Sequence, residues 1–526
     1  MARRFLPGWR AALVYTHRWL GAAGCVLFLV WFASGIVMMY ARMPVLAPEE
    51  RLARGEPLDL SALALGPADA LRAAAAPASS RLSVAMRDGR PIYRLAGAGS
   101  RAGATIVFGD TGEVLAGVTR EDARRLAARV LAPFSGTLRD DGELTEPDQW
   151  TLQARAQLPL YRFALDDGEK TRLYVSARSG DVVLRTTAPE RFWAYLGPVL
   201  HWIYFTPLRR NGSLWSEVVI WSSIAGCVVC LSGLAWGIVR VSPARRFRTR
   251  RASGRTPSFS PYAGMLKWHH YAGLLFGVIT LTWTFSGLLS MGPWSFLSSP
   301  ALAERQRALG RARASYDDIT ADDVRNAARV ITADIDAREL ELVPVQGAAY
   351  WLAQQAPRAG ELGPWQHAAL GPRRPLPILE HRYVDARRWR KGTFTTFDEA
   401  TLRAAARAMM GDTVIEETTW LTDHDGYYYD PRGQRPLPVL RVRYADEART
   451  WLYLDPARGG VALANDRVTR TRRWLYQGLH SLDFPVLYDK RPLWDVVVIA
   501  LSLGGLAVGA TTLLPSWRRW RRWRTR

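Results

Sequence analysis

Apolar residues are concentrated in four long runs, near 19–40, 214–239, 271–291 and 493–514. Each run has at least about 20 nearly uncharged residues, the length a helix needs to cross roughly 30 Å of hydrocarbon. Trp19, Tyr40, Trp215, Trp236, Trp268 and Trp494 lie at or near the ends of these runs, as in interfacial aromatic belts. The pattern predicts transmembrane helices over 19–41, 214–239, 268–291 and 493–514. The first run is too long for a signal peptide, and a copy of it lies in mid-chain, so it is read as a retained helix. Between the runs the periodicity changes. Tyr161–Leu165 alternates and ends in the Asp167-Gly168 turn, Thr171–Ser176 alternates again, and Ser179-Gly180-Asp181 makes the next turn. Helix starts precede such hairpins. Thr119 to Asp122 leads Ala123–Leu131, Thr320 to Asp323 leads Val324–Ile331, Pro67 opens Ala68–Ala76, and Asp398 caps Glu399–Met410. Segments 42–190 and 292–469 are therefore each expected to hold two helix-plus-strands modules, four in all. Short interfacial helices are expected at 191–205 and 470–482, within the connecting stretches 191–213 and 470–492, with Pro207 and Pro485 following them.

The chain also repeats itself. Thr16-His17-Arg18-Trp19-Leu20-Gly21 aligns with Trp268-His269-His270-Tyr271-Ala272-Gly273, a spacing of 252 residues. Trp31 and Ser34-Gly35 align with Trp283 and Ser286-Gly287 in the same register. A second register, at 279, pairs His201 with His480, Phe205 with Phe484, Leu214-Trp215 with Leu493-Trp494, and Gly226 with Gly505. It also pairs Leu158-Pro159 with Leu437-Pro438, Arg162 with Arg441, Leu173-Tyr174 with Leu452-Tyr453, and Gly180 with Gly459. The 27-residue difference between registers places an insertion in the second half, within Gln354–Lys391. That stretch carries Trp365, His367 and His381. A loop grafted on a repeated scaffold can carry specificity, or be only a solvated excursion.

The net charge of +22 raises nucleic acid as a partner, but its distribution excludes that reading. Arg3, Arg4 and Arg10 precede the first helix. Arg240, Arg245, Arg246, Arg248, Arg250, Arg251 and Arg255 lie between helices two and three with no acid among them, and six arginines close the chain from Arg518. This is positive-inside placement. It puts segments 1–18, 240–267 and 515–526 in the cytoplasm of a bacterial inner-membrane, multi-pass protein, and both long segments in the periplasm. The three cysteines, Cys25, Cys227 and Cys230, all fall in membrane helices, so no disulfide is expected in the exported segments. Cys227-Val-Val-Cys230 has redox or metal spacing, but its second-half copy lacks both cysteines, which favours packing.

Four of the eight histidines thus form two repeated pairs beside membrane spans, where ionisable groups suggest function. Topology puts His17 and His269 toward the cytoplasm, and His201 and His480 toward the periplasm. Two imidazole pairs in a four-helix bundle suggest two b-type haems, each with bis-histidine iron ligation, one per leaflet. Arg18 and Lys267 beside the first pair can bind haem propionates. Gly21 and Gly273, four residues after the ligands, leave room for a flat macrocycle or serve close helix packing. His270 is an alternative ligand to His269, and His424 in Asp423-His424-Asp425 is a metal candidate or a solvated turn.

In combination, these motifs resemble the PepSY-associated transmembrane proteins. The resemblance rests on His-x-x-x-Gly opening a helix, α+β modules outside, and Leu479-His480-Ser481-Leu482-Asp483-Phe484-Pro485 followed by Arg491-Pro492-Leu493-Trp494-Asp495. It covers nearly the whole chain. It implies an inner-membrane protein with four helices, periplasmic PepSY domains and, in some members, ferric-siderophore reduction on histidine-bound haem. No Gly-x-Gly-x-x-Gly follows a strand, so a quinol or a separate reductase is the expected donor, with a periplasmic ferric chelate as candidate acceptor. The competing readings are a non-redox PepSY binding module and, on the pseudo-symmetry alone, a transporter.

Overall fold

The computed structural model describes residues 8–46, 48–77, 81–96, 103–131, 136–251, 254–310, 314–357, 379–430 and 435–524. The chain divides into a helical unit (1–42, 193–298 and 468–526) and a sheet unit (43–192 and 299–467).

Among the described residues, four helices of the helical unit are long and apolar enough to cross a membrane. They are α1 (Gly8–Met38), α2 (Gly212–Arg240), α3 (Met265–Ser290) and α4 (Leu493–Arg524). Helix α1 packs on α2 and α4, and α3 packs on the same two, so α1 and α3 oppose each other. Small residues allow the close approach. A methyl group at Gly226 would lie 2.8 Å from Thr284 Cγ2, and one at Gly505 would lie 2.4 Å from the Phe32 ring. Phe28, Phe32 and Cys230 form the buried centre, with Trp283 and Leu506 against them. Cys230 therefore fills space, and Cys25, Cys227 and Cys230 are all free thiols.

Helix α1 begins at Gly8, well before the expected boundary at 19, so His17 lies inside it rather than at its start. The stretch from α2 to α3, expected as a basic loop, contains a hairpin of Phe247–Arg251 with Gly254–Ser258. Each expected interfacial helix is broken by one π turn, over Tyr195–Val199 in the first half and Trp474–Gly478 in the second.

In the sheet unit, two of the four expected modules merge. Strands Arg81–Arg87, Arg90–Ala96 and Ala104–Phe108 share one six-stranded sheet with Ala337–Val345, Ala348–Gln355 and His381–Asp385. The join is antiparallel, with Leu82 opposite Leu342 and Val84 opposite Leu340. Helices Pro67–Ala73 and Ala321–Asp334 contribute Leu71, Val324 and Ile331 to the same core as Val84, Tyr93, Leu340 and Trp351. Thr320 and Asp323 cap the second helix reciprocally. The other two modules stay separate. Helix Arg120–Leu131 packs on the sheet formed by Leu138–Leu144, Leu160–Leu165, Arg172–Ser176 and Val182–Thr186. Helix Glu399–Met410, capped by Asp398, packs on Ile415–Leu421, Val439–Tyr444, Trp451–Asp455 and Gly460–Asn465.

Several repeated residues acquire reasons here. Gly180 and Gly459 have φ of +66° and +62°, the left-handed turn conformation that suits glycine. Tyr174 donates to Asp148 Oδ2 at 3.1 Å and Tyr453 to Asp425 Oδ2 at 2.9 Å. Arg162 and Arg441 sit on the same carboxylates. Burial and the Asp425 carboxylate push the Tyr453 phenol up from its ordinary pKa. The inserted stretch begins in a strand, re-enters the sheet at His381–Asp385 and ends in a 3-10 turn at Trp389–Lys391. Gln354 lies opposite His381 in the six-stranded sheet. Trp365 and His367 lie outside the described residues.

Candidate cofactor site: two histidine pairs

His17 projects from α1 and His269 from α3, and their ring centroids are 6.0 Å apart with the planes inclined at 31°. His201 and His480 follow the two π turns, and their centroids are 6.1 Å apart with planes at 69°. One metal ion with an imidazole nitrogen about 2 Å away on each side places the ring centroids roughly 6 Å apart.

All four rings are held through Nδ1. His17 Nδ1 lies 3.0 Å from Val229 O, and His269 Nδ1 lies 3.2 Å from Val508 O and 3.2 Å from Thr511 Oγ1. His201 Nδ1 lies 3.1 Å from Trp31 O and 3.2 Å from Ser34 Oγ. His480 Nδ1 lies 3.0 Å from Ser286 Oγ, a hydroxyl that itself donates to Trp283 O. A carbonyl only accepts, and a hydroxyl whose proton is committed also accepts, so Nδ1 is assigned the proton in each ring. Each Nε2 then carries a lone pair. Fixing the tautomer through the second nitrogen is how metal-binding histidines are oriented.

The repeated Trp-x-x-Ser-Gly of α1 and α3 is thereby explained. Ser34 and Ser286 receive His201 and His480. At Gly35 and Gly287 a methyl group would lie 3.5 Å from Cε1 of those rings. The first pair has a tighter seat, because a methyl at Gly233 would lie 2.5 Å from His17 Cε1. Trp31 is 14 residues beyond His17, so the pairs are separated by about 21 Å along α1 at 1.5 Å per residue.

A cavity of about 850 Å³ surrounds the first pair, within the usual range for cofactor pockets. His17, His269, Gly21, Gly273, Arg18 and Arg518 are among its lining residues. A methyl at Gly273 would meet no atom within 4 Å, so this glycine borders open space. Arg18 thus faces the cavity, whereas Lys267 is not among its lining residues and lies 5.5 Å from the Tyr271 ring. Arg518 escaped the sequence reading because it lies in the C-terminal basic run, far from both ligands in sequence.

The other described histidines, His270, His381 and His424, are engaged elsewhere. His270 is buried, with Nδ1 2.8 Å from Ser260 Oγ and Nε2 2.9 Å from Gly237 O, so neither nitrogen is directed at a ligand. His424 Nε2 lies 3.1 Å from Arg435 O, and His381 Nε2 lies 2.8 Å from Thr395 O. No group of three or more metal-ligating side chains occurs among the described residues. At the first pair, paired imidazoles, a cavity and two lining arginines fit haem, whose iron would need only two protein ligands; at the second pair the fit rests on the imidazole pair alone. Compared with known proteins, the chain matches no family model and no curated protein.

Proposed function

We propose that this chain is an inner-membrane electron-transfer protein of the PepSY-associated transmembrane type, carrying two b-type haems. The observation that carries the proposal is the pair of imidazole gaps, 6.0 and 6.1 Å, with Nδ1 engaged in every ring. His17 and His269 would hold one haem iron, and His201 and His480 the other. Haem b, when bound, would supply a one-electron couple, and its ligation by both histidines of a pair would favour electron transfer over oxygen binding. The chain's own residues do the rest. Val229, Val508 and Trp31 carbonyls and the Ser286 hydroxyl keep each proton on Nδ1 and aim Nε2. Arg18 and Arg518 offer counter-charges for propionates at the cavity rim. The apolar centre of Phe28, Phe32 and Cys230 excludes water between the pairs.

The arginine distribution supports a cytoplasmic first pair and a periplasmic second pair, with both termini cytoplasmic and the sheet unit periplasmic. Electrons would enter from a quinol or a separate reductase and leave to a periplasmic ferric chelate, for which a ferric siderophore is the proposed class. In that step the chelated iron(III) gains one electron and becomes iron(II), which its hard oxygen ligands hold less tightly. The proposed role is iron acquisition.

The test is a dithionite-reduced-minus-oxidised spectrum of protein purified from membranes after expression with adequate haem. The expected result is a b-type α band at two haems per chain. Absence of the band sinks the redox reading and leaves a membrane-anchored PepSY binding module. The acceptor is tested by mixing reduced protein with ferric chelates in the presence of an iron(II)-specific chelator. Reoxidation without trapped iron(II) rules out the reductase role.

A further inference from the structure

The second histidine pair lies outside the long helices, which raises the question of what holds its two segments in place. The two halves answer it in the same way. Each segment ends two residues after its histidine at a non-glycine residue in the left-handed conformation, Ile203 (φ +54°) and Leu482 (φ +53°), 279 residues apart. Bulky side chains rarely take that conformation, and it persists only where surrounding structure enforces it. Ending a helix also leaves its last carbonyls without intrahelical donors. In the first half, Trp215 Nε1 donates to Trp202 O at 2.9 Å. In the second, Trp494 Nε1 donates to Ser481 O at 3.0 Å. The donors are both tryptophan. The acceptors differ in side chain, Trp202 and Ser481, because only their backbone is used. Trp215 and Trp494 lie in the first turns of α2 and α4.

We infer that Trp215 and Trp494 are positioning residues for the second ligand pair. This rests on the haem reading above. Each ligand segment is pinned at two adjacent residues. The histidine is tied through Nδ1 to α1 or α3, and the next residue is tied through its carbonyl to α2 or α4. Two points on different helices fix the rotation of the segment, and with it the imidazole plane. An Arg guanidinium over each indole steadies the clamp, Arg209 at 4.5 Å from the Trp215 ring and Arg491 at 4.7 Å from Trp494. The indole N–H is a donor only, so no other hydrogen bond can replace this one in kind.

The two pairs differ in a way spectroscopy can read. Planes inclined at 69° should give a strongly anisotropic low-spin ferric EPR signal, and planes at 31° a rhombic one. The experiment uses full-length protein in detergent or nanodiscs, with Trp215→Phe, Trp494→Phe and the double variant, which keep a ring and lose the N–H. The anisotropic signal should shift or broaden, and the second haem should dissociate about 10-fold or more faster, the usual effect of losing an outer-layer partner. The rhombic signal should persist and serves as the folding control. Ser481→Ala, which keeps the carbonyl, should match wild type. The inference fails if the variants keep both signals and wild-type retention. It also fails if both signals decline together, which would make the indoles general fold contacts, or if Ser481→Ala reproduces Trp494→Phe. A wild-type protein with no low-spin signal at all would instead overturn the haem reading itself.

Discussion

The two histidine pairs have nearly the same ring spacing but reach it by opposite means. His17 and His269 are carried inside long helices, and each is hydrogen-bonded to a backbone carbonyl of the neighbouring long helix. Their position follows from helix packing, with the Thr511 hydroxyl added at His269. His201 and His480 are carried on short segments interrupted by π turns and closed by left-handed residues, and their position depends on side chains borrowed from α1, α3, α2 and α4. The first pair is thus seated by the bundle itself, while the second is seated by side chains that reach it from four helices.

The largest effect expected from this comparison is on haem content. On the proposed reading, replacing His17 or His269 by Ala should remove about half the haem, and replacing His201 or His480 the other half, because each iron would lose one of its two histidines. Loss of all haem from a single change would break the pairing. Next is the difference in steric tolerance. Gly233→Ala should empty the first site, since its methyl would meet His17 at 2.5 Å. Gly35→Ala and Gly287→Ala should leave the second site filled, at ordinary contact distances of 3.5 Å. Equal outcomes in pigment assays would mean that the seats do not differ. Smaller again is the effect of the hydroxyls. Ser286→Ala removes the hydroxyl acceptor of His480 Nδ1, leaving the Trp283 carbonyl, and should weaken second-site retention by up to roughly 10-fold. Thr511→Val should act on the first site alone and to a similar or smaller extent, because His269 keeps Val508 O. Parallel haem-dissociation rates would decide. The smallest effect is expected for Cys227→Ala with Cys230→Ala, which should leave both haem signals intact and cost about 1–2 kcal/mol of packing. A lost signal would restore a redox role to that motif.

Much of this was legible in the chain. Four apolar runs predicted four long helices because length and composition alone set what can cross hydrocarbon. The capped helices were readable because Thr320, Asp323 and Asp398 act on backbone groups within their own first turn. Repetition picked out His17, His269, His201 and His480, and also Trp31, Ser34, Trp215 and their copies, without saying what the last group does. The carbonyls of Val229 and Val508 could not be found that way, since every residue has one. The merging of two modules into one sheet was equally hidden, because strand pairing between Arg81–Arg87 and Ala337–Val345 depends on partners some 250 residues apart.

By itself the sequence determined the four long helices, the capped helices and hairpins of the sheet unit, the internal repeat and the identity of the four histidines. These depend on local composition and on periodicity, which the chain carries in every conformation. Only the tertiary structure decided that the rings face each other at about 6 Å, that each Nδ1 is occupied, and that Arg518 reaches the cavity while Lys267 does not. Those facts depend on which helix faces which, and that is set by the glycine contacts and buried aromatics that let α1 and α3 oppose each other across the same two neighbours.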